Sequence, residues 1–396
     1  MSIKKILLGG IPLGCNNIGD EAIINSVCQI FHRLFPSAEL TVMTDDTVDV
    51  AWCSKRLRGP LYGFNKDFPA SEFASFVKNY DCYVWAGATG LSDYPQVATE
   101  LLNQSFAAGV PAIVWNVGMN SELNPAFFRV GGKRKALLRF GGALFFGKDS
   151  LVALYDCWHV KRMRRKIKKS LSRTALVIVR DPESVEVLHQ LGFNGAIAGA
   201  DSAILQENAS QDYLKRDARF RTIGLCISAQ SELKQMEELV IMLNKFLERT
   251  DIRFAFIPMN LKTDGELLNK IREKCADKSR ILLMDKSDDP GVIQDIASQC
   301  DVVISSRLHL LILCGNVDTP MIGIARGSKV NNFLNNYNLQ AIGSVDECDF
   351  NALTREVLRL LAEKEEFQKQ SKRVHQKLLK RLAYAEEQLQ KTVNVI

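Results

Sequence analysis

The stretch Asp301-Val302-Val303-Ile304-Ser305-Ser306-Arg307-Leu308-His309 decides how this chain is read. Its first five residues suit a buried strand and the last three open a helix, so the polar side chains fall at the strand's carboxyl end. A second handover of the same kind lies near the start. There Ile6-Leu7-Leu8 runs into Gly9-Gly10, and Asn17-Ile18-Gly19-Asp20-Glu21 leads into a helix with the apolar stripe Ile23, Val27, Ile30, Phe31 and Leu34. Open α/β sheets bind ligands in the crevice outside the carboxyl ends of their strands. Two such junctions in two halves of a chain point to one cleft served by both. An arginine and a histidine aimed into it suit an anionic substrate and proton transfer.

Working outward, short apolar runs alternate with amphipathic stretches, the pattern of parallel sheets covered by helices. The first half predicts strands near 4–9, 39–43, 82–86, 111–117 and 175–179, with a helix over 19–35. Residues 121–173 are too many for a plain loop and predict a helical insertion. A second alternation predicts strands near 222–227, 252–257, 280–284, 301–305 and 320–324. The expected organisation is an N-terminal Rossmann-like domain over 1–205, a second over 221–349 and a helical tail over 350–396 that could end on either. The polar segment 206–220 is the expected boundary, and 396 residues exceed what one core usually holds.

The formal net charge is +6, yet residues 159–173 hold eight Lys or Arg and no acid. On a helix, Val160, Met163, Ile167 and Leu171 share one face. That segment reads as the solvated face of a packed helix, as a basic helix on an anionic membrane, or as a grip on a phosphate-bearing acceptor. The aromatic interleaving and fold motifs that nucleic-acid binding needs are missing nearby. No apolar run reaches the length of a membrane span, and Met1-Ser2-Ile3-Lys4-Lys5 leads straight into a strand, so a cytoplasmic location is expected, peripheral at the inner face of a membrane if the basic segment binds there. The ten cysteines show no CxxC and no metal-ligand spacing, so buried free thiols are expected.

At the first junction, glycines let backbone amides approach a ligand and the helix N-terminus presents free N–H groups to anions, placing Asn17, Gly19, Asp20 and Glu21 along the cleft. Asp20 and Glu21 equally suit the helix dipole alone. At the second, Arg307 offers a planar fork of donors and His309 a proton carrier, although a core histidine is the plainer alternative. A third junction, Arg180-Asp181-Pro182-Glu183-Ser184, follows the 175–179 strand. Asp181 can cap that helix and Pro182 fits its first position, leaving Arg180 for the same cleft.

Together these residues resemble a family. Asn17-Ile18-Gly19-Asp20-Glu21-Ala22-Ile23 is similar to the opening motif of the polysaccharide pyruvyl transferases. Arg180-Asp181 with Glu183-Ser184 and then Gly199-Ala200-Asp201 resemble its central motifs. Ser306-Arg307-Leu308-His309, followed by Thr319-Pro320-Met321-Ile322-Gly323-Ile324, resembles its C-terminal one. The family usually carries a glycine-rich turn and an acid after the 82–86 strand; here Gly87-Ala88-Thr89-Gly90-Leu91-Ser92-Asp93 keeps two glycines and Asp93. The loop Gly10-Ile11-Pro12-Leu13-Gly14-Cys15-Asn16 lacks the expected aromatics, which bears on the acceptor rather than the donor.

The resemblance implies two Rossmann-like domains in a GT-B-like arrangement, phosphoenolpyruvate as donor, a saccharide or lipid-linked glycan hydroxyl pair as acceptor, a ketal product, and neither cofactor nor metal. The carboxylate and phosphate of such a donor need at least two fixed cations, which makes Arg180 and Arg307, with Leu308 between Arg307 and His309, the expected donor-binding residues, and His309 the expected general acid or base with Asp93 orienting it or activating a hydroxyl. Two rival classes fit the same residues: a nucleotide-sugar glycosyltransferase with the same two-domain layout, and a non-catalytic scaffold of a glycan-assembly complex.

Overall fold

The computed structural model describes residues 3–11, 17–44, 55–58, 70–145, 147, 149–210, 212–229 and 232–396. Most of the aromatic-poor loop, Pro12 to Asn16, lies outside them, as do Cys15 and Cys53. The first sheet contains β1 (Lys5–Gly9), β2 (Glu39–Thr44), β3 (Lys55–Arg58), β4 (Cys82–Ala86), β5 (Ala112–Val117), β6 (Leu176–Val179) and β7 (Ala196–Ala198). Its order is β3-β2-β1-β4-β5-β6-β7. The second contains β8 (Arg221–Cys226), β9 (Ile252–Phe256), β10 (Ile281–Leu283), β11 (Val302–Ser305) and β12 (Met321–Gly323), in the order β10-β9-β8-β11-β12. Every pairing between these strands is parallel.

The strands form where they do because they are apolar on both faces. β4, β5, β9 and β11 are buried at every position, as parallel strands covered by helices on both sides must be. In each sheet the chain winds outward one way and then reverses, which opens a switch point between β1 and β4 and another between β8 and β11. Two strands were not expected. β7 is three half-buried residues and β3 reads Lys-Arg-Leu-Arg, so neither shows the apolar run by which a parallel strand is recognised.

The two sheets meet with their carboxyl ends facing. The Ile18 amide donates to the Met259 carbonyl at 3.0 Å, and Asn17 forms an isolated bridge with Asn260. Asn316 Nδ2 donates to the Ala203 carbonyl at 2.9 Å. The helix Lys364–Val393 crosses from one unit to the other along the buried stripe Phe367, Val374, Leu378, Leu382, Leu389 and Val393. Each such side chain contributes about 1.5–3 kcal/mol on burial. At its far end Glu386 pairs with Arg33 at 2.7 Å, so the tail closes on the first unit.

The insertion is helical, with Pro125–Phe128, Gly132–Phe145 and Ser150–Leu171. Its apolar stripe is not free for a membrane: Met163, Ile167 and Leu171 are buried and Val160 packs beside them in the core of the first unit. Along 159–173 the apolar stripe is therefore packed, and Lys161, Arg162, Arg165, Lys166, Lys168 and Lys169 are exposed on the rest of the helix. No helix among the described residues is long and apolar enough to cross a membrane. Of the eight cysteines described, seven are buried and Cys157 is exposed; all eight are free thiols.

Candidate active site

Every polar residue of interest sits just past a strand's carboxyl end. β1 leads to Asn17 and Asp20, β4 to Asp93, β6 to Arg180, β7 to Asp201, β11 to Arg307 and His309, and β12 to Arg326 and Lys329. Between the two units all of these except Asp201 line a cavity of about 610 Å³, with Trp85 and Tyr94 on the first unit's side. Small-molecule sites commonly occupy about 300–1,000 Å³.

His309 stands in the first turn of the Leu308–Asn316 helix, held from two sides. On one, the helix Ile18–Leu34 approaches so closely that a Cβ on Gly19 would lie 2.1 Å from His309 Nδ1. A glycine is required there by contact rather than by φ. On the other, His309 Nε2 is 3.6 Å from Asp201 Oδ2, longer than a direct hydrogen bond. Asp201 also faces Arg180 Nη1 at 3.6 Å, and Arg180 Nε donates to Asp181 at 3.2 Å. Burial alone would raise the Asp201 carboxyl; His309 and Arg180, with the Ala203 amide, override it and hold it below its ordinary value. Arg180 is itself buried, and a Cβ on Gly118 would lie 2.5 Å from its guanidinium carbon.

Asp93 was expected either to orient His309 or to activate a hydroxyl; the acid beside His309 is Asp201. Asp93 accepts from Asn120 at 3.1 Å and from the Thr89 hydroxyl, on the first unit's wall of the cavity. Among the cleft-lining expectations, Asn17 and Asp20 line the cavity while Gly19 and Glu21 do not. Gly19 shapes the cleft through His309, and Glu21 sits in the first helical turn. Asp181 caps its helix by accepting from the Ser184 amide at 2.7 Å.

Arg307 is not an idle cation. Its Nε and Nη2 grip the buried carboxylate of Asp264 at 2.9 and 2.7 Å, a bidentate pair that fixes the guanidinium at the cavity wall. Two further cations were missed. Arg326 donates to Ser228 at 2.8 Å, and Lys329 lies in the same cavity, within the electrostatic reach of Asp93 and of Arg180, Arg326 and Arg307. Burial and those arginines push Lys329 down to about 8 against the pull of Asp93. Burial also pushes Asp20 up to about 6, opposed by His309, by the 2.6 Å hydrogen bond from Asn17, and by Lys329 and Arg307. The signal for Arg326 and Lys329 was present in Ala325-Arg326-Gly327-Ser328-Lys329, another strand-to-helix handover. Among the described residues, no group of three or more His, Cys, Asp or Glu could hold a metal ion.

Two doubly wound units facing across such a cleft are the GT-B fold, which known structures share. Os79 from O. sativa, in complex with UDP and deoxynivalenol-3-glucoside, matches with a TM-score of 0.64 at 12% identity, over 98% of this chain and 100% of that one. Anabaena Alr3699/HepE in complex with UDP-glucose matches at 0.59 and 12%, over 100% of both chains. A UDP-N-acetylglucosamine 2-epimerase matches at 0.58 and 12%, over 94% of this chain and 90% of that one. These likenesses establish the fold alone. The family comes from the sequence: the polysaccharide pyruvyl transferase model matches residues 17–328, and the chain belongs to that family. No curated protein matches it.

Proposed function

We propose that this protein moves the pyruvyl group of phosphoenolpyruvate onto two hydroxyls of a saccharide, forming a pyruvate ketal during cell-surface polysaccharide or lipid-linked glycan assembly. The observation that carries this reading is one cavity in which Arg180, Arg307, Arg326 and Lys329 converge around His309. Phosphoenolpyruvate carries a carboxylate and a phosphate, the two anionic groups that such a set of cations in one partly desolvated cavity can match.

In this reading His309 delivers a proton to the donor's methylene carbon, and Asp201 stabilises the imidazolium beforehand. The neighbouring carbon gains cationic character and the first sugar hydroxyl attacks it, forming a C–O bond. The bond to phosphate oxygen then breaks, with Arg326 and Lys329 balancing the departing charge, and the second hydroxyl closes the ring. Of the two hydroxyl protons, one balances that taken up by the methyl carbon and the other leaves with phosphate. In this reading Asp93, on the first unit's wall of the cavity, accepts a hydroxyl proton. The donor is a substrate, and the scheme uses no cofactor.

The test pairs phosphoenolpyruvate with saccharide acceptors and reads both phosphate release and the mass of the product. Phosphate release coupled to a pyruvyl ketal on the sugar is the expected result. A thermal shift with a sugar nucleotide and none with phosphoenolpyruvate would replace this reading by a glycosyltransferase. Binding of neither, with no turnover, would favour the scaffold.

A further inference from the structure

Charge is distributed unevenly in a way the active site does not explain. Residues 129–173 carry fourteen Lys or Arg and two Asp, a net +12 in a chain of net +6, so the remainder carries −6. Both acids are engaged locally: Asp149 pairs with Arg139 at 2.6 Å, and Asp156 accepts from the Val130 amide at 2.9 Å.

The same segment exposes large apolar side chains. On the paired helices Gly132–Phe145 and Ser150–Leu171, Leu137 is 71% exposed, Phe140 69%, Leu154 65% and Trp158 53%. Exposed Lys133, Lys161 and Arg165 accompany them, and Arg162 lies over the Trp158 ring at 5.4 Å. Scattered surface leucines need no explanation, but four apolar side chains within one strongly cationic hairpin do. Such a combination of apolar area and uncompensated positive charge matches an anionic bilayer, whose headgroups attract the cations and whose acyl boundary takes up the apolar tips.

Its place in the molecule gives the hairpin a purpose. Ser121, Asn124 and Pro125 line the cavity, Arg164 Nη2 donates to the Ser121 carbonyl at 3.0 Å, and Phe128 packs on His159 with ring centroids 5.2 Å apart. The hairpin is thus fastened to one rim of the cleft.

We propose that this helical hairpin docks the protein on an anionic lipid bilayer through Leu137, Phe140, Leu154 and Trp158 with their surrounding cations. Docking would hold the cavity at the surface where a lipid-linked saccharide is presented. The docking itself does not rest on pyruvyl transfer; only the nature of the acceptor does.

The test is co-sedimentation with vesicles of phosphatidylglycerol and phosphatidylcholine, against phosphatidylcholine alone, at low and high salt. The wild type should sediment only with anionic vesicles and keep part of its binding at high salt, where charge attraction is screened. Each charge removed by Lys161→Gln, Arg162→Gln and Arg165→Gln should weaken binding roughly fivefold at low salt. Leu137→Ser with Phe140→Ser should abolish the salt-resistant part. All five positions are exposed, so both variants should melt with the wild type and show its thermal shift with phosphoenolpyruvate, which separates failure of docking from failure of the proposed reaction. The proposal is overturned if the wild type ignores anionic vesicles, or if both variants sediment as it does. It is equally overturned if Leu137→Ser with Phe140→Ser converts a wild-type dimer to a monomer, because a second copy would then cover this face.

Discussion

The two walls of the cleft share a topology and differ in chemistry. Both are built from loops at the carboxyl ends of parallel strands, beside a switch point in a doubly wound sheet. The first wall presents Asn17, Asp20, Trp85, Asp93 and Tyr94; the second presents Arg307, His309, Arg326 and Lys329. Burial acts on both in the same sense, toward neutrality, raising Asp20 to about 6 and lowering Lys329 to about 8. Each is partly relieved by charges on the opposite wall, so attraction across the unliganded cleft offsets part of what burial costs the two groups. Arg180 is the exception, a cation from the first unit kept in place by Asp181 and Asp201.

If the second wall carries the chemistry, the largest effect should come from His309→Ala. Loss of general acid–base help lowers turnover by roughly a hundredfold or more, while donor binding and melting temperature stay near wild type. Turnover near wild type would take His309 out of the reaction. Gly19→Ala sharpens the comparison, because it changes the first wall and acts on the second. All ionisable groups remain, yet the added methyl would sit 2.1 Å from His309 Nδ1 and must displace the ring. A loss of roughly tenfold or more in kcat is expected, with donor affinity little changed; unchanged kcat would mean that the orientation of His309 is unimportant.

Donor recognition should divide among the cations unequally. Hydrogen bonds to charged groups are worth about 1.5–3 kcal/mol, so Arg326→Gln or Lys329→Gln should weaken phosphoenolpyruvate binding about tenfold or somewhat more in calorimetry. Arg307→Lys should also weaken it, by a different route. The variant keeps the charge but loses the bidentate grip on Asp264, so the cation is no longer held in place. Equal donor affinity in all three variants would move the donor to the first wall.

Most of this frame was legible because parallel strands leave long apolar runs and their carboxyl ends leave glycine, Arg and His. Arg180, Arg307 and His309 were found through that rule alone. Asp201 was visible as part of Gly199-Ala200-Asp201, but nothing local told that β7 would bring it beside His309. The partnership joins positions more than a hundred residues apart. Asp264 was hidden for the same reason, since its role exists only against Arg307. The burial of Met163, Ile167 and Leu171 was also undecidable from one sequence, because a stripe that packs on a neighbouring helix and one that enters a membrane share the same period.

The smallest effect expected is on stability, and it probes the first wall alone. The Asp20 carboxyl is raised from its ordinary 3.8 to about 6 in the folded chain, so between those values the native state holds the proton more tightly than the unfolded one. Stability therefore falls as pH rises through that window, and the full penalty stands above about pH 6. Asp20→Asn removes the titration, so the variant should melt alongside the wild type near pH 4 and a few degrees above it at pH 7. The upper bound is about 3 kcal/mol, because each tenfold change in proton affinity is worth about 1.36 kcal/mol. Asp201 has the opposite sign: held below its ordinary value, it contributes stability above about pH 4 that is lost only as pH falls further, so Asp201→Asn should destabilise the protein at pH 7. A melting difference for Asp20→Asn that is the same at pH 4 and pH 7 would show that burial does not dominate the environment of this carboxyl.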